Sequence, residues 1–109
     1  MPSGTATRFA GPAQVSNAAS TKYTVASGQR IVLRHIHVQN PSGSPVTFTM
    51  SIGTDAAGTR IYDAYSLAAN TPYDFFCYYP LAAAEIIQAF AGTTNVLTLT
   101  LNGDLYLVG

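Results

Sequence analysis

Charge is scarce in this sequence, and so is cysteine. Asp, Glu, Lys and Arg make up only 9% of the 109 residues, against roughly a quarter in ordinary globular domains. Five basic side chains balance five acidic ones. A small domain free in solution usually carries more charge, which keeps its copies apart. The shortage therefore points to a surface that faces protein. The cations Arg8, Lys22, Arg30, Arg34 and Arg60 are scattered along the chain. Nucleic-acid affinity needs them clustered, because much of it comes from released counterions. That class is set aside. A single cysteine, Cys77, excludes an intrachain disulfide and with it a disulfide-stapled fold. Its aromatic neighbours mark it as a small buried hydrophobe rather than a nucleophile. No apolar run approaches the roughly 18–20 residues of a membrane-spanning helix, so no membrane partner is expected. The opening "MPSGTATRFAG" lacks the basic start and apolar core of a secretion signal.

What the chain does have is a series of short apolar segments, rich in threonine and separated by Gly, Pro, Asn and Ser. The clearest is "QRIVLRHIHVQN", Gln29 to Asn40. It runs into "NPSGSP", where Pro41 pre-sets a bend and Gly43 tolerates positive φ. In "VTFTMSIG", Val46, Phe48, Met50 and Ile52 alternate with Thr47, Thr49 and Ser51. This is the period of a strand with one core face, and the two segments read as an antiparallel hairpin. Further strands are predicted over Thr5 to Ala10, closed by Gly11-Pro12, and over Thr21 to Val25. In "TRIYDAYSL", Ile61, Asp63, Tyr65 and Leu67 are expected opposite Tyr62, Ala64 and Ser66. An aromatic strand follows near Pro72 to Leu81.

"AAAEIIQAFAG", Ala82 to Gly92, could open a helix through its alanines. The alternation of Ile86, Gln88 and Phe90 favours a strand. In the last segment Leu97, Leu99 and Leu101 should point inward, with Thr98 and Thr100 outward. Asn102-Gly103 reads as a type I′ hairpin turn, followed by a returning strand with Leu105 and Leu107. About eight or nine short strands with closely spaced turn signals predict an all-β, antiparallel two-sheet sandwich or small barrel. Residues 21–109 form the predicted sandwich domain. Residues 1–20, rich in Ala, Ser, Gly and Thr, read as an amino-terminal arm with a possible first strand, ordering against a neighbour.

Little in the sequence carries chemistry. His35 and His37 share a strand face roughly 6–7 Å apart, but a zinc site wants at least a third ligand. Cys77, Asp63 and Asp74 are available, yet nothing in their spacing brings them to the histidines. The expectation is two imidazoles packed between threonines and tyrosines, or placed at an interface, with no metal and no cofactor. Asp55 and Asp104 read as turn residues, whereas Asp63 and Asp74 interrupt strands and are expected to pair with Arg34 or Arg60. No glycine-rich phosphate loop or nucleophile elbow is present. The protein is not expected to be an enzyme.

The aromatics are different. In "PYDFFCYYPL", one of two faces, Phe75-Cys77-Tyr79 or Phe76-Tyr78, must point away from the sandwich core. Tyrosine joins a large contact area to a hydroxyl that stays satisfied at a protein boundary. Tyr62, Tyr73, Phe76, Tyr78, Tyr79 and Tyr106 are therefore the candidate interface residues. A strip of exposed aromatics also suits stacking on sugar rings, which keeps a carbohydrate- or receptor-binding module as the rival reading.

The segment Tyr23 to Gly53 resembles a pattern of small bacteriophage virion proteins. The matching elements are Tyr23-Thr24-Val25 with Gly28, Asn40 with Ser42-Gly43, Val46 to Gly53, and the closing Val96 to Leu101. The resemblance covers roughly residues 21 to 108, and its motifs are mostly turn glycines and strand alternation. It implies a jelly-roll sandwich located in the virion, working as a capsid decoration or cement protein. Head–tail or tail accessory proteins are the alternative. It further implies self-association, with a trimer favoured, docking on other virion proteins such as the major capsid protein, and no catalytic residues. The aromatic density of Phe75 to Tyr79 and the His35/His37 pair depart from the pattern.

Overall fold

In the computed structural model, which describes residues 4–108, the alternating segments become eight strands. They are β1 (Thr5–Gln14), β2 (Ser20–Thr24), β3 (Gln29–Asn40), β4 (Val46–Ile52), β5 (Arg60–Leu67), β6 (Thr71–Leu81), β7 (Ile86–Ala91) and β8 (Thr98–Leu107). There is no helix among the described residues. The pairing is nested. Strand β4 pairs with β5, β3 with β6, β2 with β7 and β1 with β8, each antiparallel. The chain thus behaves as one long hairpin, rolled so that its arms fall alternately into two sheets of order β1-β8-β3-β6 and β2-β7-β4-β5. The strand pattern predicts the two-sheet sandwich, and the order is the jelly-roll one that the resemblance implies.

Burial explains why the roll closes. Ile31 and Leu33 on β3, Phe48 and Met50 on β4, Ile87 on β7, and Leu99 and Leu101 on β8 are all buried between the sheets. Truncating any one of the larger of these to alanine costs about 2–5 kcal/mol, because the lost contacts leave a cavity. Leu97, Leu99 and Leu101 face inward as expected. Thr49 and Ser51, expected to face solvent, are buried too. Loop and strand groups cover them: the Thr49 hydroxyl oxygen accepts a bond from the Ala64 amide at 2.9 Å, and Ser51 donates to Asp55 at 2.7 Å. In β7 the strand reading holds, but the inward face is Ile87, Ala89 and Ala91.

Three expectations need correction. Asn102-Gly103 is not a turn. Strand β8 runs straight through it, with Asn102 opposite Arg8 on one side and His35 on the other. The glycine serves close approach instead, since a Cβ there would run into the Val32 carbonyl and the Phe9 ring. In β5 the expected alternation breaks at Ala64, whose φ of 50° accompanies a register shift against β4. Such a bulge moves later side chains to the other face. The third concerns the amino-terminal stretch. From Thr5 it is not an arm waiting for a neighbour, because β1 is hydrogen-bonded to β8 beyond Gly11-Pro12 to Gln14, and Val15 is fully buried. As an edge strand, β1 tolerates the missing N–H of Pro12.

Candidate functional site

The distinctive surface is the outer face of the β1-β8-β3-β6 sheet, centred on β3 and the edge strand β6. Alternation along β6 turns Pro72, Asp74, Phe76, Tyr78 and Pro80 outward. Phe76 is 80% exposed and Tyr78 64% exposed. The opposite face, Tyr73, Phe75, Cys77 and Tyr79, is half-buried and packs on the core.

A second bulge shapes this surface. On β3, Leu33 lies opposite Gly103 of β8, while His35, two residues on, lies opposite Asn102, the very next position back. One extra β3 residue therefore turns Arg34 outward and keeps His35 and His37 on the outer face, while Ile36 and Val38 point into the core. Register then decides which side chains meet. Asp74 is the direct cross-strand partner of His37, and Phe76 that of His35.

The polar groups are tightly knit. The Oδ1 atom of Asp74 lies 2.7 Å from His37 Nδ1 and 2.8 Å from His35 Nε2. These two imidazoles hold the Asp74 carboxyl below its ordinary pKa, His37 contributing more. The other nitrogen of His35, Nδ1, lies 3.0 Å from the Asn102 amide nitrogen, and the His35 ring stacks on Phe76 at 4.9 Å. Beside this group Arg34 pairs with Asp104 and places its guanidinium 5.2 Å above the Tyr78 ring. The hydrogen bond from Arg34 to Asp104 raises the guanidinium pKa further.

The structure therefore revises how the acidic residues pair. Asp74 meets the two histidines rather than an arginine. Asp104 lies within β8 rather than at a turn and takes Arg34. Asp63 pairs with Arg60, as expected for one of the two candidate arginines. Asp55 accepts two bonds from the same arginine, at 3.0 and 3.1 Å. The two histidines converge on Asp74. The sequence signal that was present, His-x-His on one strand face, lacked the cross-strand register needed to find its third member.

The remaining aromatics close the sandwich between the edge strands β5 and β6. The bulge at Ala64 brings Tyr62 and Tyr65 to one side, with ring centroids 6.4 Å apart. Tyr62 lies 4.7 Å from Phe75, and burial pushes its phenol pKa up. Tyr65 stands edge-on to Tyr73 at 6.3 Å and to Phe75 at 5.5 Å. The Tyr73 hydroxyl oxygen accepts a bond from the Ala68 amide. Tyr106 lies on the outer face with its ring against Gly4. Of the six candidate interface residues, Phe76 and Tyr78 are the strongly exposed ones, whereas Tyr62, Tyr73 and Tyr79 pack on the core.

The fold and this face define an all-β jelly-roll protein whose outer strip combines exposed aromatics with paired polar and charged groups. No family model matches the chain, and no curated protein matches it. Solved structures do resemble it in fold. One is a chain of the Bacillus endospore appendages, which form a family of disulfide-linked pili. The match has a TM-score of 0.60 and 14% identity, over 100% of this chain and 92% of that one. Another is a chain of infectious bursal disease virus, Gx strain, with a TM-score of 0.56 and 12% identity over 99% of this chain. The protein spans only 32% of that viral chain. At these identities the likeness is one of fold.

Proposed function

We propose that the protein is a non-enzymatic structural subunit of an extracellular or virion assembly, and within that class a capsid decoration protein of a phage particle. The observation that carries the reading is the pair Phe76 and Tyr78, standing exposed on an edge strand of a nearly uncharged domain. Exposed aromatics of this size are the usual anchors of protein contacts. Multiple copies on a particle add weak contacts into firm attachment. The fold resemblance to a pilus chain and a viral chain supports the class.

Contacts of the disulfide-linked kind do not suit this chain. One cysteine joins at most one partner. The Cys77 thiol donates to the Leu33 carbonyl at 3.5 Å, and burial raises its pKa, away from the thiolate that disulfide exchange uses. The contacts of this reading are noncovalent.

The test is the solution mass by light scattering over a wide dilution series, for the protein and for Phe76→Ala and Tyr78→Ala. The reading expects an oligomer that the two variants weaken while remaining folded. Variants that assemble like the parent would remove the outer strip from the contact. A monomer at every concentration, with saturable sugar binding lost in Tyr78→Ala, would favour the carbohydrate-binding reading.

A further inference from the structure

We propose that His35, His37 and Asp74 form a binding site for a divalent transition-metal ion of the zinc, cobalt and nickel type. Among the described residues these three bring one ligand atom each to within 4.8 Å of one another. An ordinary ion pair needs one imidazole per carboxylate. Here both imidazoles aim their nitrogens at a single oxygen, so three candidate donor atoms are gathered in one place. Two imidazoles and a carboxylate are the donors such ions prefer. Calcium and magnesium want oxygen throughout, and an anion would be repelled by Asp74.

The fit requires the carboxylate to draw back and the three ligand atoms, now within 4.8 Å of one another, to close around a common point. In a tetrahedral site with bonds near 2.0–2.1 Å, neighbouring donors stand about 3.3 Å apart. Asp74 must therefore draw back by roughly half an ångström from its 2.7 and 2.8 Å contacts. Its side chain is 47% exposed and free to do so. The histidines are fixed more firmly, because both stand on β3, a central strand paired on either side. Coordination needs the lone pairs of His35 Nε2 and His37 Nδ1, so each neutral ring carries its proton on the far nitrogen. For His35 that nitrogen is Nδ1, which then donates to the side-chain oxygen of Asn102 after the amide turns over. A histidine ligand whose second nitrogen is held in this way is the usual arrangement in metal sites. The remaining coordination positions face solvent and take water.

The inference does not rest on the assembly role and stands or falls separately. The untagged full chain is titrated with Co²⁺, following its visible absorption bands, and with Zn²⁺ in a calorimeter. One ion per chain is expected, with nitrogen-and-oxygen-type cobalt bands. His37→Ala and Asp74→Ala should each weaken binding by more than about tenfold, and Asn102→Ala by about 10- to 100-fold. Circular dichroism and thermal melting establish that the variants are folded. Absence of Co²⁺ and Zn²⁺ binding to the parent protein would overturn the proposal. So would equal affinity in a folded His35→Ala/His37→Ala double variant.

Discussion

The side-chain amide of Asn40, at the end of β3, donates to the carbonyl oxygen of Leu67, at the end of β5, over 3.0 Å. The two strands belong to opposite sheets. The same amide nitrogen reaches the carbonyls of Ser44 and Ala68, while its oxygen accepts from the Ser42 amide and hydroxyl. Asn40 is fully buried. One side chain thus ties the β3–β4 turn to the end of β5. Asn40→Ala should lower stability by several kcal/mol, at about 1–3 kcal/mol for each buried group left unpaired. Urea unfolding monitored by tyrosine fluorescence measures it, and Asn40→Asp should rescue only the acceptor side.

Ala64 holds a φ of 50° at the β5 bulge, where a side chain costs about 1–2 kcal/mol. Glycine removes that strain but gives back part of the gain by loosening the unfolded chain. Ala64→Gly should therefore stabilise the protein by about 0.5–1 kcal/mol. Thr49→Val should do the opposite, because it leaves the Ala64 amide without its acceptor. Paired denaturation curves decide both signs.

Gly103 and Gly43 make a matched pair of opposite outcome. A Cβ on Gly103 meets the Val32 carbonyl and the Phe9 ring, whereas one on Gly43 meets nothing within 4 Å. Gly103→Ala should cost about 1–3 kcal/mol or more, as overpacking does, and Gly43→Ala should be nearly neutral. Equal melting temperatures for the two variants would contradict the close approach of β8 to β3.

The contrast between these glycines also marks what the sequence could tell. Alternation identified nearly every strand, because a period of two needs only local reading. Gly43 looked like a turn glycine and lies in the β3–β4 turn. Gly103, in an equally good turn dipeptide, lies in a central strand whose neighbours on both sides supply its hydrogen bonds. Local turn chemistry lost to tertiary pairing. Bulges were equally hidden. The irregularity at Arg34 and His35 and the one at Ala64 decide which side chains share a face. Asp74 meets His37 only through β3–β6 register, across 37 residues, which single-strand periodicity does not report. The exposed pair Phe76 and Tyr78 was legible as one of two faces, and burial selected it.

Because Phe76 contributes so little to the core, its removal should separate folding from association. Phe76→Ala is expected to change stability by no more than about 0.5 kcal/mol, as for ordinary surface substitutions. A large drop in melting temperature would mean that the stacking on His35 supports the fold itself. That outcome would also spoil the variant as a probe of assembly.

Asp55, like Asp74, is a carboxylate whose native contacts are lost in acid. It accepts two bonds from Arg60 and one from Ser51, and these contacts, Arg60 first, hold its pKa below the ordinary 3.8. The folded state therefore binds its proton less readily than the unfolded state. By linkage, the stabilisation is complete above the unfolded value and is lost as pH falls through the folded one. Melting temperature should be steady near neutrality and decline below about pH 4. Asp55→Asn should lower it at neutral pH, since the bond to the Arg60 guanidinium loses its charge. The gap between variant and parent should then narrow as acid protonates the native carboxylate. A gap that stayed constant down to about pH 2 would show that the Asp55 contacts contribute through shape and hydrogen bonding alone, not through charge.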